Sequence, residues 1–318
     1  PIPRLGRRFS PTAFLRALVV FRTAALAGVA LCAQLQLPLA LLIVLAAFAG
    51  SVNGAAYGYL RTQLNGLVPQ SGLPRALGLA ATLNEIIFVL GPVAASGLGV
   101  LSPVLAIVAL TVLGAMPALL VPAVSVNHAD VPTGSGSILT LPILLWLSCA
   151  AAGGAAVAVI EIGAVGLAVQ FGYEPALGIL FTVPLCVASV SGGIWVSYRN
   201  RMASRGIVVT QLATVTLGSW LAALSASLPM TIAGAVLMGA MLAPLGTYYA
   251  LSLDMLAPPH KRAEVFGLLR TATIVGVICA SALLTAFTLS TALVVVAVAI
   301  LIVTAVVALV PSNRLAPR

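Results

Sequence analysis

Charge is what this chain of 318 residues lacks most: Asp, Glu, Lys and Arg make up 7% of it, with six acids against fifteen bases. So few charged groups cannot cover the surface of a soluble domain, because 61% of the residues are hydrophobic and the mean hydropathy is +1.19. The chain therefore reads as a polytopic, all-α membrane protein. A net charge of +9 would point to nucleic acid in a soluble protein. Lys and Arg also accumulate in the cytoplasmic loops of membrane proteins, so no nucleic-acid partner is needed. Cysteine is sparse too. Cys32, Cys149, Cys186 and Cys279 all lie in apolar stretches, where a thiol behaves as a small hydrophobe, so neither a disulfide framework nor a zinc site is expected. His128 and His260 stand far apart in loops, which gives no metal site, and no cofactor is expected. Gly-rich phosphate loops, GxSxG and HExxH are missing. Without them, and with no nucleophile, base and orienting group at one depth, neither ATP-driven pumping nor enzyme chemistry is expected.

What is present is organised around residues 73–99, LPRALGLAATLNEIIFVLGPVAASGLG. The stretch is apolar enough to cross a bilayer, yet it carries Glu85 and, beyond it, Gly91-Pro92. Glu85 follows Arg75 by roughly 15 Å of helix, about halfway through a hydrocarbon core of roughly 30 Å. A carboxylate there costs on the order of 2.5–3.5 kcal/mol on insertion scales, which marks it as a functional residue. Pro92 removes a backbone hydrogen bond, so a helix break is expected at Gly91-Pro92.

About ten spans follow from the apolar runs. The first covers about 17–36, with Arg22 just inside it and snorkelling toward the headgroups. The second covers about 39–59 and ends in Gly50, Gly54 and Gly58 at four-residue spacing, which lets helices approach closely. Residues 73–99 are the third, and 103–123 the fourth. The polar segment 124–140 then divides an N-terminal bundle, 1–123, from a C-terminal six-helix bundle, 141–318, whose spans lie near 141–169, 177–198, 207–227, 230–252, 265–287 and 291–310. Gly153-Gly154 in the long fifth span predict a kink or tilt. Alternation puts nearly all fifteen basic residues on one side. That side is the cytoplasm, and it holds the linker and the C-terminus.

The two bundles look related. Leu67-Val68-Pro69, Gly78-Leu79 and Thr82 recur as Leu256-Ala257-Pro258, Gly267-Leu268 and Thr271. Parallel six-helix repeats are a transporter architecture, and four spans against six imply that two N-terminal spans are missing. At the start, Arg4-Leu5-Gly6-Arg7-Arg8 resembles the end of the DRxGRR loop motif of the major facilitator superfamily of secondary transporters, with Pro3 in place of the Asp. Gly78, Gly91 and Pro92 fall at the spacing of that family's antiporter motif, with Ile87 in place of one glycine and Ala95-Ser96 in place of the closing pair. The segments VIEIGAVGLAVQFGYEPALGILF, SGGIWVSYRNR and RAEVFGLLRTATIVG resemble actinobacterial members, and fourteen Arg against one Lys would suit a GC-rich genome. The resemblance spans essentially the whole chain. It implies a two-bundle fold with an incomplete N-terminal half, working by alternating access as a monomer in a bacterial plasma membrane.

Two carboxylates then become the candidate proton or substrate groups. Glu85 would exchange protons near neutral pH once desolvation raises its pKa, or pin its span by a hydrogen bond. Glu161, nearer the outside in the fifth span, would bind a cationic group or release protons, or bond a neighbouring hydroxyl. Gly78, Gly91 and Pro92 are gating or helix-break positions. Arg4, Gly6, Arg7, Arg8 and Glu264 are cytoplasmic gate residues on the resemblance, although Asp254, Lys261, Arg262 and Glu264 equally read as a solvated loop. Arg61 snorkels, pairs with a loop carboxylate or holds a substrate anion. Tyr248 and Tyr249 either line a cavity or pack, while Trp146, Trp195 and Tyr198 are expected in the interfacial belt. The expected activity is proton-coupled export of a small hydrophobic or cationic compound. Proton-coupled metabolite uptake and a transport-inactive truncated protein are the alternatives.

Overall fold

In a computed structural model the chain is described over residues 10–121, 140–258 and 261–311, except for the side chains of Pro11, Gln70, Glu85, Phe88, Val89, Pro92, Val93 and Ser96. Its regular elements there are helices. These are α1 (Pro11–Gln34), α2 (Leu39–Ser51), α3 (Asn53–Leu67), α4 (Leu73–Leu101), α5 (Pro103–Ala115), the short α6 (Pro117–Leu120), α7 (Leu141–Gln170), α8 (Ile179–Arg199), α9 (Arg205–Leu224), α10 (Leu228–Leu256), α11 (Arg262–Ala286) and α12 (Leu289–Leu309). With α2–α3 and α5–α6 each counted as one span, nine stretches among the described residues are long and apolar enough to cross a membrane. About ten were expected, and the stretch expected as the third span forms the 29-residue helix α4.

The helix starts are written in the local sequence. Ser10, Ser102, Ser227 and Thr288 each accept a hydrogen bond from the backbone N–H three residues on, and Pro11 and Pro103 follow their caps directly. The ends rely on left-handed residues. Gly172, at φ +78°, closes α7, with the Tyr173 amide donating to the Ala168 carbonyl at 2.9 Å. Gln36, at φ 52°, ends α1 in the same way, the Leu37 amide donating to Cys32.

Two features differ from expectation. α1 begins at Pro11, so Arg22 lies eleven residues into it rather than near its end. α4 is helical from Leu73 through Leu101, so Gly91-Pro92 does not terminate it. One element is also broken where continuity was expected: Val52 interrupts the second span between α2 and α3.

The chain forms two compact units. One comprises the described parts of residues 1–67, 87–136 and 259–268, and the other those of 68–86, 137–258 and 269–318. Apart from Thr140, the expected linker 124–140 lies outside the described residues. The core of the first unit joins Leu15, Leu18 and Val19 of α1 to Val52 and to Ala55, Ala56 and Tyr59 of α3. Phe14 packs on Tyr59 with ring centroids 5.0 Å apart and the rings tilted by 54°. The second unit is cemented by glycines against backbone. Gly218 of α9 and Gly234 of α10 each face the other's carbonyl, Gly192 of α8 faces the Ala240 carbonyl, and Gly239 of α10 faces that of Leu185. Water cannot drive helices together inside a membrane, so such close van der Waals contact is the main source of their association.

Candidate functional site

Glu161 lies twenty residues into α7, about 30 Å along its axis. The helix around it is mostly small residues, and Ala155, Ala156, Ala158, Val159, Ile160, Gly163 and Ala164 are all buried. Gly154 and Gly276 bring α7 and α11 together, since a Cβ on Gly154 would stand 2.6 Å from the Thr273 carbonyl oxygen. Gly154 thus serves close packing, and α7 runs unbroken through Gly153-Gly154. Glu161 itself is half-buried and engaged by its surroundings. Glu85 sits on the helical backbone of α4, one turn beyond Thr82; its side chain, like that of Pro92, is outside the description.

α4 and α8 interlock near the ends that carry Arg75 and Arg199. A Cβ on Gly78 would lie 2.9 Å from Ser197 Oγ and 3.1 Å from its backbone nitrogen, and Gly193 of α8 faces Thr82 in return. Thr82 is buried and donates its hydroxyl to the Gly78 carbonyl at 2.9 Å. Asn200 ties the two helices together. It ends α8 in the left-handed region, at φ 46°, and its Oδ1 accepts from the Arg75 amide at 2.9 Å, while its Nδ2 donates to the Ser71 carbonyl at 3.0 Å. One side chain therefore closes one helix and satisfies an orphan N–H at the start of another. Sequence reasoning passed over Asn200. The signal available was an Asn directly after an apolar run ending in Tyr198-Arg199.

The expected gate residues divide. Arg4, Gly6, Arg7 and Arg8 lie outside the described residues. Asp254, Lys261 and Glu264 are 4%, 7% and 8% exposed and all are engaged, so they form no solvated loop. Glu264 stands in the first turn of α11, where the helix dipole favours a carboxylate. In the same unit, Gly58 of α3 approaches the Ala263 carbonyl and the Gly267 amide of α11. Arg61, one turn beyond Gly58, is 9% exposed, with Nε donating to the Tyr57 hydroxyl at 3.1 Å. It is a buried arginine rather than a snorkelling one.

Tyr248 and Tyr249 of α10 pack on Trp146 of α7, with ring centroids 5.1 Å and 5.9 Å away. Trp146 is 1% exposed, so it belongs to the core and not to an interfacial belt. Trp195 and Tyr198 are exposed as a belt requires, and Arg199 lies over the Trp195 ring at 5.1 Å. Arg22 departs from expectation as well: its Nη2 donates to the Gly114 carbonyl at 2.7 Å instead of reaching the headgroups. Among the described residues no three His, Cys, Asp or Glu side chains converge as a metal site would require. His128 and His260 lie outside them.

No protein-family model and no curated protein sequence matches the chain. Solved structures do. The Escherichia coli fucose:proton symporter FucP is 17% identical with a TM-score of 0.72, over 97% of this chain and 86% of its own. The human organic anion transporter MFSD10 is 12% identical, TM-score 0.73, over 96% and 79%. A bacterial homologue of the iron transporter ferroportin, in an outward-facing state, is 16% identical, TM-score 0.74, over 96% and 85%. With nine candidate membrane spans among the described residues, glycine-cemented helix pairs and these neighbours, the chain has the fold of the major facilitator transporters.

Proposed function

We propose that this chain is a secondary transporter of the bacterial plasma membrane that works by alternating access, with its linker and C-terminus in the cytoplasm. It moves protons inward and exports a small hydrophobic or cationic compound. It acts as a monomer and catalyses no covalent chemistry. The observation that carries this reading is a half-buried carboxylate, Glu161, deep in a membrane-spanning helix of a major facilitator fold. An intramembrane carboxylate is expensive to keep and can exchange a proton or hold a cation. Glu85, in the middle of α4, is the second proton-carrying group. Gly78 and Thr82, packed against α8, belong to the contact that opens at the basic side in each cycle, and Gly91-Pro92 let α4 bend as it does.

The neighbours named for a fucose:proton symporter, an organic anion transporter and an iron transporter support transport in general and leave direction and cargo to the residues of this chain. The test is uptake of ethidium, a hydrophobic cation, into proteoliposomes with an acid interior. The expected result is accumulation that collapses when the pH gradient is dissipated. Equal accumulation with and without the gradient would remove proton coupling from the account.

A further inference from the structure

Arg61 differs from Arg16, Arg22 and Arg205 in what its terminal nitrogens touch. Arg16, Arg22 and Arg205 each aim a terminal nitrogen at helix-end carbonyls: Val121 for Arg16, Gly114 for Arg22, and Val307, Ala308 and Val310 for Arg205. Arg61 has no such acceptor among the described residues. Nε is taken by Tyr57, whose ring lies 5.2 Å from the guanidinium carbon, and the buried Nη1 has no hydrogen-bond partner among the described residues. The side chain is nevertheless 9% exposed. A guanidinium keeps its charge and its five donors even when buried. Leaving one of its donors unpaired is costly, so the position favours a bound acceptor, and a cation favours an anionic one.

The helix that carries Arg61 is built for polarity. Gln63 and Asn65 are buried on the same fifteen-residue element, and Gln63 donates to Thr12 Oγ1 at 3.3 Å. Tyr57, Arg61 and Asn65 recur every four residues and so share one stripe of α3. With Nε held by Tyr57, the guanidinium is pre-oriented and its two terminal nitrogens present a planar fork. That fork matches two oxygens of a carboxylate or phosphate and no other common ion geometry as well.

We propose that Arg61 is the receptor of an oxyanion, a carboxylate or phosphate group, bound end-on by Nη1 and Nη2 beside Tyr57. The assignment does not rest on the transport reading. Two sources carry this chemistry: a free solute anion and the phosphate of an acidic lipid.

The test is the thermal unfolding midpoint of the purified chain in a phosphate-free maltoside detergent, at constant ionic strength in chloride. It is measured with inorganic phosphate, with acetate, and with phosphatidic acid against diacylglycerol. A bound ligand raises the midpoint by mass action. The expected result is an upward shift with at least one of the three oxyanions, absent in Arg61→Gln and reduced by more than half in Arg61→Lys, which keeps the charge but loses the fork. A shift with phosphate or acetate assigns the site to a free solute, and a shift with phosphatidic acid alone assigns it to a lipid headgroup. No shift with any of them, or shifts that persist unchanged in Arg61→Lys, would overturn the proposal. Arg61→Lys and Tyr57→Phe, which weakens the shift by releasing Nε, serve where Arg61→Gln does not fold.

Discussion

Arg22 and Gly114 illustrate how a charge is kept inside an apolar helix pair. The carbonyl of Gly114 lies just before the irregular turn at Met116-Pro117, between α5 and α6. With α5 ending at Ala115 the Gly114 carbonyl lies in its last turn, where carbonyls lose their intrahelical partners, and Arg22 donates to it at 2.7 Å. Hydrogen bonds to charged groups contribute about 1.5–3 kcal/mol, partly offset here by the cost of desolvating the guanidinium. We therefore expect Arg22→Met to lower the thermal unfolding midpoint in detergent, because it strands the Gly114 carbonyl. A midpoint equal to that of the wild type would mean that desolvation cancels the bond. Neither partner was legible as a pair in the sequence, since 92 positions separate them. What could be read was the presence of an arginine inside an apolar run, not its destination. The same holds for Trp146. Its position near a span end suggested a headgroup belt, but Tyr248 and Tyr249 enclose it, and only tertiary packing decides between the two.

At the scale of helices, the sequence was most informative where geometry is local. Apolar runs marked spans, and the four-residue glycine spacing that ends at Gly58 predicted a close crossing, which α11 makes. The duplicated Leu-Val-Pro and Leu-Ala-Pro segments also have structural counterparts. Gly78 on α4 and Gly267 on α11 each sit where a neighbouring helix comes within backbone contact. The expected break at Gly91-Pro92 was less informative, because a proline can sit in a membrane helix without ending it, as Pro184 in α8 and Pro244 in α10 also do. Asn200 offers the sharpest test at this scale. Asn200→Gly keeps the left-handed backbone at no steric cost but removes both hydrogen bonds to the start of α4. It should lower the unfolding midpoint by the equivalent of about 1–3 kcal/mol, two bonds at about 0.5–1.5 kcal/mol each. Asn200→Asp should recover part of the loss, since it still accepts from the Arg75 amide. A wild-type midpoint in Asn200→Gly would show that the glycine contacts alone hold α4 to α8.

For the molecule as a whole, composition alone specified a multi-span membrane protein, and the repeat and motif resemblances led to the major facilitator fold that the structural neighbours share. Sequence identity of 12–17% to those neighbours explains why the fold was readable while the cargo was not. Helix length, glycine crossings and apolar surface are constrained by the bilayer, whereas cargo is chosen by a few side chains. Glu161 is the residue on which the functional account turns, and it was visible in the sequence because charge inside a span is so rare. Proton flux tests it most directly, read with a pH-sensitive dye trapped in proteoliposomes as ethidium is driven across. The wild-type chain should move protons opposite to ethidium, and Glu161→Gln should slow that flux at least about tenfold, the rate equivalent of about 1.36 kcal/mol of barrier, while remaining folded. Wild-type proton flux in Glu161→Gln would contradict the account.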